Sequence, residues 1–320
     1  MRCPLVESVQ ESGARVLAVI VLYKMLPQDS VSFQTLEAAK KHAPPGKVAI
    51  KTFFYDNTPG GQPSAQYPEE CIHESSGENN GLSVAYNRAL EIASEAGFDW
   101  LLTLDQDTSL PFDFLTNLSN TLAFVAPLSQ VAAVVPQVSD NGRVISPAAL
   151  SYNLFPKFFP AEFIGISLER TSAVNSASAV RVSALKAIGG YDPRFWLDYS
   201  DAVMYHRLHC NNFRIFIAGN IRVEHELSVL DLEQRVTLER YEDILGAESA
   251  FWDECMGRVG HLALFLRFSY RLVYKFWRTG ASLPYFKISL RYFCMRLFFS
   301  RKRRTEAWER SSQRRFVSHG

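Results

Sequence analysis

The sequence predicts an α/β fold: a Rossmann-like, mostly parallel mixed sheet flanked by helices, with an amphipathic helical tail behind it. Three observations predict it. Val16 to Tyr23 (VLAVIVLY) is a continuous apolar run rich in β-branched residues, the pattern of a parallel strand buried on both faces. Strand-like and helix-like segments alternate after it. The stretch FDWLLTLDQDTSLP carries an apolar run from Phe98 to Leu104. It stops at two carboxylates, Asp105 and Asp107, and polar residues and Pro111 follow at once.

Composition sets the bounds. The 320 residues are 47% hydrophobic and 21% charged, enough for one large core or one core with an appendage. Five scattered cysteines form no Cys-x-x-Cys pair, which argues against a zinc ribbon or a disulfide scaffold and fits a reducing compartment. The opening residues carry acids and no apolar core of signal length, so no secretion signal is expected. No uncharged apolar run reaches the roughly 18 residues of a spanning helix. The net charge of +1 hides a split. From Gly257 onward there are 15 Lys and Arg against 2 Asp and Glu, and before it 19 against 31. The tail therefore asks for an anionic partner and the body does not.

Taken in order, Phe33, Leu36, Ala39 and Lys40 follow the first strand at helical spacing. Val48 to Tyr55 reads as a second strand, running into Asp56-Asn57-Thr58 and Pro59-Gly60-Gly61. Asp56 there is either an Asx turn or a carboxylate that accepts hydrogen bonds from a nucleotide base. Asn79-Asn80-Gly81 opens a helix with Leu82, Ala85, Ala89, Leu90 and Ala93 on its apolar face, ended by Gly97. Asn79 or Asn80 can cap it, and its start can seat a phosphate. Asn87 is a poor helix former on this helix. It either has a polar task or bonds to backbone at the core's edge.

In open α/β sheets ligands gather outside the carboxyl ends of the strands. Asp105 and Asp107 at such an end suit a hard divalent cation that shares oxygen ligands with phosphates. An acidic turn would look the same. Phe112 to Val125 reads as a helix and Val131 to Val138 as a buried strand. Ser146 to Ile166 is irregular and aromatic, a flap or simply an aperiodic core segment. Val174 to Val182 (VNSASAVRV) alternates small and apolar residues, like a strand beside a crowded site.

In GGYDPRFWLDYSDAVMYHRLHC, Asp192, Asp198 and Asp201 fall in an aromatic loop that ends in a helix start. Asp201 needs no explanation beyond a favourable charge at a helix N-terminus. A carboxylate held among Phe195, Trp196 and Tyr199 is also partly desolvated, which raises its pKa and suits a general base. Phe213 to Ala218 is a strand, and His225 follows it among acids, either as a ligand or as a structural histidine. In the tail, Arg267, Arg271, Lys275 and Arg278 recur at helical spacing, Lys287 and Arg291 lie one turn apart, and RKRR starts at Arg301. One reading is amphipathic helices lying in a membrane surface with their basic side toward anionic lipid. The other is core helices whose arginines pair with the acidic body. The aromatics are too many and too apolar for a nucleic-acid arm.

Together, YDNT at Asp56, NNGLSVAYN from Asn79 to Asn87, LTLDQD, FWLDYSD and VEHEL at His225 resemble the family 2 glycosyltransferases in order and approximate spacing, over about Val16 to Ser228. The forms LTLDQD and FWLDYSD look like the bacterial rhamnosyltransferase branch. The resemblance implies a GT-A fold over residues 15–255, with an extension at 1–14 and a membrane-associating tail at 256–320. It implies that Asp56 meets the nucleotide base and that Asn79 and Asn87 lie in the donor pocket. Asp105 would face ribose and metal, Asp107 and His225 would hold Mg²⁺ or Mn²⁺, and Asp201 would be the catalytic base. Trp196 and Asp198 are candidates on the acceptor side. The donor implied is dTDP-rhamnose or a UDP-sugar, and the acceptor a glycan or lipid-linked glycan of surface polysaccharide such as O-antigen. The place implied is the cytoplasm, peripheral on the inner face of the membrane. Ser200 and Ser228 stand where many members have an acid and a glycine. Two rivals share the motifs. One is a haloacid-dehalogenase-type phosphatase, whose opening Asp-x-Asp resembles LDQDTS. The other is a non-catalytic nucleotide-sugar-binding protein held at a membrane.

Overall fold

The computed structural model describes residues 13–44, 46–153, 155–225, 236–278 and 283–318, with the side chains of 275–278 and 312–318 left aside. Glu226 and Ser228, and the side chains of Lys275 and Arg278, lie outside the described residues.

The leading apolar run forms β1 (Ala14–Leu22), buried from Val16 on, at the middle of the first half of the sheet. Helix α1 (Val31–His42) starts at Ser30, whose hydroxyl accepts the Phe33 N–H at 3.3 Å. It crosses to β2 (Val48–Asp56), which pairs parallel to β1, and β3 (Ile72–Ser75) adds outside β2. Helix α2 (Gly81–Glu95) then returns the chain to β4 (Trp100–Asp105), parallel to β1 on its other side. Helix α3 (Phe114–Val125) begins two residues later than the sequence suggests, because Phe112 and Asp113 complete a turn in which Phe114 N–H reaches Pro111 C=O at 3.0 Å.

The sheet continues through β5 (Val131–Asp140) with β6 (Arg143–Ser146) against it. In the stretch read as irregular, β7 (Ala148–Ala149), β8 (Lys157–Phe158) and β10 (Thr171–Ser172) form a small separate sheet, and β9 (Ile164–Ile166) joins the large one. Strand β11 (Ser178–Arg181) inserts antiparallel between β4 and β5. Helix α4 (Val182–Ala187) and helix α5 (Ser200–Cys210) precede β12 (Arg214–Glu224), parallel to β5 with a bulge between Ala218 and Arg222. The large sheet runs β3-β2-β1-β4-β11-β5-β12-β9. It is the mostly parallel, helix-flanked mixed sheet of the GT-A fold.

One apolar cluster fills each face of the sheet, and a third belongs to the C-terminal helices. These are α6 (Leu238–Cys255), α7 (Gly257–Arg278), α8 (Leu283–Phe298) and α9 (Arg301–Ser318).

The tail is open to two readings in the sequence. Of the stripe, the described arginines Arg267 and Arg271 turn toward the body. Arg271 pairs with buried Glu248 of α6 at 2.8 Å, and Arg267 lies 4.5 Å over the Trp252 ring while donating to Asn153 C=O at 3.0 Å. Arg291 pairs with Glu242. Arg296 and Arg304 converge on buried Asp253 at 2.9 and 2.8 Å. The acidic excess of the body and the basic excess of the tail thus meet inside the protein. Spacing along a helix reveals a stripe but not which carboxylates face it.

Candidate active site

Strand ends form the floor. In the β-sheet register Asp56 stands opposite Leu22 and Asp105 opposite Val21, so the two residues flank the end of β1. At about 4.8 Å between strands their Cα atoms are about 10 Å apart. This is the switch point of the 3-2-1-4 half of the sheet, where such folds bind ligands.

The Asp105–Thr108 turn is held by the start of α1. Ser30 Oγ donates to Gln106 C=O at 2.8 Å, and Ser32 Oγ accepts Thr108 N–H at 3.0 Å. Gln106 Oε1 accepts the Tyr23 N–H at 2.8 Å. Asp107, with its side chain 48% exposed, is therefore aimed by a fixed backbone. Asp105 accepts from Tyr86 Oη at 3.4 Å and from Ser176 Oγ. His225, just past β12 and tied to Ser139 C=O at 2.9 Å, brings its ring to both acids. Nε2 is 3.7 Å from Asp105 Oδ2 and Nδ1 is 3.4 Å from Asp107 Oδ1.

These residues fit a hard cation. The buried His225 Nδ1 has no hydrogen-bond partner and faces the Asp107 carboxylate. Among the described residues no three His, Cys, Asp or Glu side chains close a metal cage alone. A cation here would complete its shell with oxygens from substrate and water.

The opposite wall is the loop into α5. Tyr199, in the left-handed region at φ +61°, turns the chain so that Asp201 falls in the first turn of the helix. Withdrawal from water pushes the Asp201 carboxyl up to about 7. The Ala202 N–H, 2.6 Å from Oδ1, pulls it down, and the charges of Asp105 and Asp198 add to the rise. Tyr86 and Tyr191 are fully buried with rings 5.0 Å apart, and each feels the charge of both Asp105 and Asp201. The two acids, distant in sequence, therefore lie within reach of one another's charge.

Between them runs Asn175-Ser176. Ser176 Oγ donates to Asp105, and Asn175 Nδ2 donates to Ser200 Oγ at 3.3 Å while its Oδ1 accepts from Tyr191 Oη at 3.3 Å. Sequence reasoning flagged this segment as lying beside a crowded site but did not single out either residue. Tyr86, Tyr191 and Asn57 were also missed.

Other expected residues make contacts within the chain. Asp56 is fully buried, and its oxygens accept Thr58 N–H (2.9 Å), Gln62 N–H (2.8 Å) and Gln62 Nε2 (3.2 Å). Burial alone would raise its pKa, but these hydrogen bonds outweigh it and hold the carboxyl below its usual value. Of the two alternatives, the turn describes its contacts; a base reaching it would displace the Gln62 carboxamide. Asn87 clamps the Tyr191 backbone, accepting its N–H at 2.8 Å and donating to its C=O at 2.9 Å, which is the backbone-bonded alternative. Asp198 forms a two-pronged pair with Arg240 of α6, one arm at 2.8 Å.

Asn80, at the cap position of α2, makes no side-chain cap. The N–H groups of the first helical residues go to Asn79 and to the carbonyl of Trp196, which accepts Leu82 N–H at 2.6 Å and Ser83 N–H at 3.3 Å. That carbonyl also fills the place proposed for a phosphate. Asn79 Oδ1 accepts Gly81 N–H at 3.2 Å, and Asn57 Nδ2 donates to Gly81 C=O at 3.1 Å. Gly81 has φ +77°, and a Cβ there would stand 2.3 Å from Trp196 O. Gly81→Ala is expected to cost about 2–4 kcal/mol in urea unfolding. Most turnover should go with it, because the relief available is displacement of the loop that carries Trp196, Asp198 and Asp201.

No family model matches the chain, and no curated protein matches it. Among solved structures it is similar to GalNAc-T7 with UDP, GalNAc and Mn²⁺, at TM-score 0.54 and 14% identity, over 93% of this chain and 59% of that one. It is also similar to S. aureus TarS 1–349, at TM-score 0.52 and 12% identity, over 95% of this chain and 92% of that one. The chain spans less than two thirds of the first. The likeness is one of fold, and it places the sheet described above in the GT-A class.

Proposed function

We propose that the chain is an inverting, metal-dependent glycosyltransferase that uses a nucleotide-sugar donor. The observation that carries the reading is a pair of unlike groups within reach of one another's charge. Asp105, Asp107 and His225 gather at the end of β4, and close by stands a desolvated carboxylate, Asp201, whose pKa lies near neutrality. A neighbour of the same fold holding UDP, GalNAc and Mn²⁺ supports it. The motifs LTLDQD and FWLDYSD support dTDP-rhamnose as donor over a UDP-sugar, and a lipid-linked or growing surface polysaccharide as acceptor.

In this reading Asp201 accepts the proton of an acceptor hydroxyl as its oxygen bonds to the anomeric carbon. The bond from that carbon to the diphosphate breaks on the opposite face, so configuration inverts. The nucleoside diphosphate leaves with the electron pair. Asp107 and His225 would hold Mg²⁺ or Mn²⁺, which supplies charge neutralisation for the leaving diphosphate. Tyr86, Ser176 and the Asn175–Ser200 contact keep Asp105 and Asp201 facing the same space. The GT-A sheet leaves the phosphatase rival without its own fold.

The test is release of nucleoside diphosphate from a panel of nucleotide sugars, with Mn²⁺ and with chelator. Slow metal-dependent hydrolysis, fastest with dTDP-rhamnose, is expected. Donor binding without any turnover would favour the non-catalytic alternative, and release of phosphate from an aryl phosphate would favour the phosphatase.

The pH dependence follows from Asp201. A base works ionised, so kcat should fall about tenfold per pH unit below about 7 and level off above it. A pH–rate profile at saturating donor and acceptor checks this. An acid limb near 4 would mean that a less buried carboxylate does the work.

A further inference from the structure

Helices α7 and α8 together present a largely exposed apolar face, touched at Tyr270 by the Phe155 ring. On α7, Val259, Leu262, Leu266, Tyr270 and Val273 are 44–60% exposed. Their spacing of three, four, four and three residues confines them to an arc of about 80° at 3.6 residues per turn. On α8, Leu283, Leu290 and Leu297 recur every seventh residue and are 40–62% exposed.

The two stripes point the same way. Phe265 stacks on Phe293 at 5.1 Å, and His261 Nδ1 meets Arg296 at 2.8 Å. Earlier residues of α7 meet later residues of α8, so the helices are antiparallel. Each stripe lies about a quarter turn beyond the Phe265–Phe293 contact in the sense of increasing residue number. Because the helices run in opposite directions, these quarter turns lead to one side of the pair.

The charges on α7 and α8 have one sign, and just past them Lys302 lies 4.0 Å from Glu306. No Asp or Glu occurs from Gly257 to Thr305. Arg258 adjoins Val259, Lys287 lies between Leu283 and Leu290 on the same stripe, and Arg301, Lys302 and Arg303 follow α8. All five are exposed. They are separate from the arginines that pair with the body.

We propose that this face seats the protein on an anionic lipid surface. The leucines enter the boundary between acyl chains and headgroups, with Arg258, Lys287 and Arg301–Arg303 at the level of the phosphates. A second copy is the poorer occupant, because its cations would meet these cations with no carboxylate to pair them. No described helix is long and apolar enough to cross a membrane, so the contact is one of lying on the surface. This inference does not depend on glycosyl transfer.

The test is sedimentation of the full chain with vesicles of phosphatidylcholine alone or with one third phosphatidylglycerol. Binding is expected with phosphatidylglycerol. The pair Leu262→Ser and Leu266→Ser should weaken partitioning at least tenfold, and Lys287→Glu by roughly fivefold or more, with near-UV circular dichroism unchanged. The Lys287 variant alters only an exposed cation and decides the matter if the serine pair fails to fold. Absence of binding by the unaltered chain, or undiminished binding by the variants, overturns the proposal. So does a dimer in sedimentation velocity that the serine pair disperses while vesicles bind neither form.

Discussion

Asp201→Asn is expected to lose about a thousandfold in kcat for transfer while binding donor within about threefold of the unaltered chain. A positioned general base contributes roughly 10²- to 10⁴-fold, and asparagine keeps the shape and the Ala202 contact but takes no proton. Donor affinity should hold because the groups at the end of β4 are untouched. The folded chain should be at least as stable near pH 7. Asp201 is raised in the native state, so its ionisation opposes folding above its unfolded pKa, and the neutral amide removes that opposition. Transfer kinetics and calorimetry of donor binding measure the two halves separately. Normal turnover in this variant would assign the base elsewhere.

Asp107→Ala is expected to lose metal-dependent donor binding by about 100-fold or more, equivalent to about 2.7 kcal/mol. Asp107 is half-exposed on a turn whose backbone is held by the Ser30 and Ser32 hydroxyls, so its truncation leaves the core intact. It also leaves His225 without the carboxylate opposite Nδ1. Donor titrations with and without Mn²⁺ should show that the metal tightens binding in the unaltered chain and has little effect in the variant. An equal gain from Mn²⁺ in both would place the cation away from Asp107.

Much of this site was legible because strand ends are local. The runs before Asp56 and Asp105 end with their strands, and each carboxylate is the last residue of its strand. The aromatic loop before Asp201 predicts its desolvation, but Phe195 and Tyr199 of that loop pack on Trp308 and Phe251, and the tyrosines that feel its charge are Tyr86, Tyr191 and Tyr205. Other contacts carried no local signal. The cap of α2 is the Trp196 carbonyl, a backbone atom from a distant loop, and any residue at that position would offer the same group. The segment holding Ser176 showed itself as small residues beside a crowded site, but neither Ser176 nor the carboxylate it meets could be picked out. The tail arginines gave their spacing plainly. Their partners Glu242, Glu248 and Asp253 sit on α6, and only the packing of α6 against α7, α8 and α9 decides which helix face turns inward. The apolar stripe left outside was hidden for the same reason.

The most direct measurement is a crystal structure with dTDP and Mn²⁺, with the cation located by its anomalous scattering. The account predicts one Mn²⁺ peak against Asp107 and His225, the diphosphate beside it at the ends of β1 and β4, and the Asp201 carboxylate facing the space beyond the terminal phosphate. A nucleotide bound elsewhere, or an Asp201 side chain packed away from that space, would contradict it.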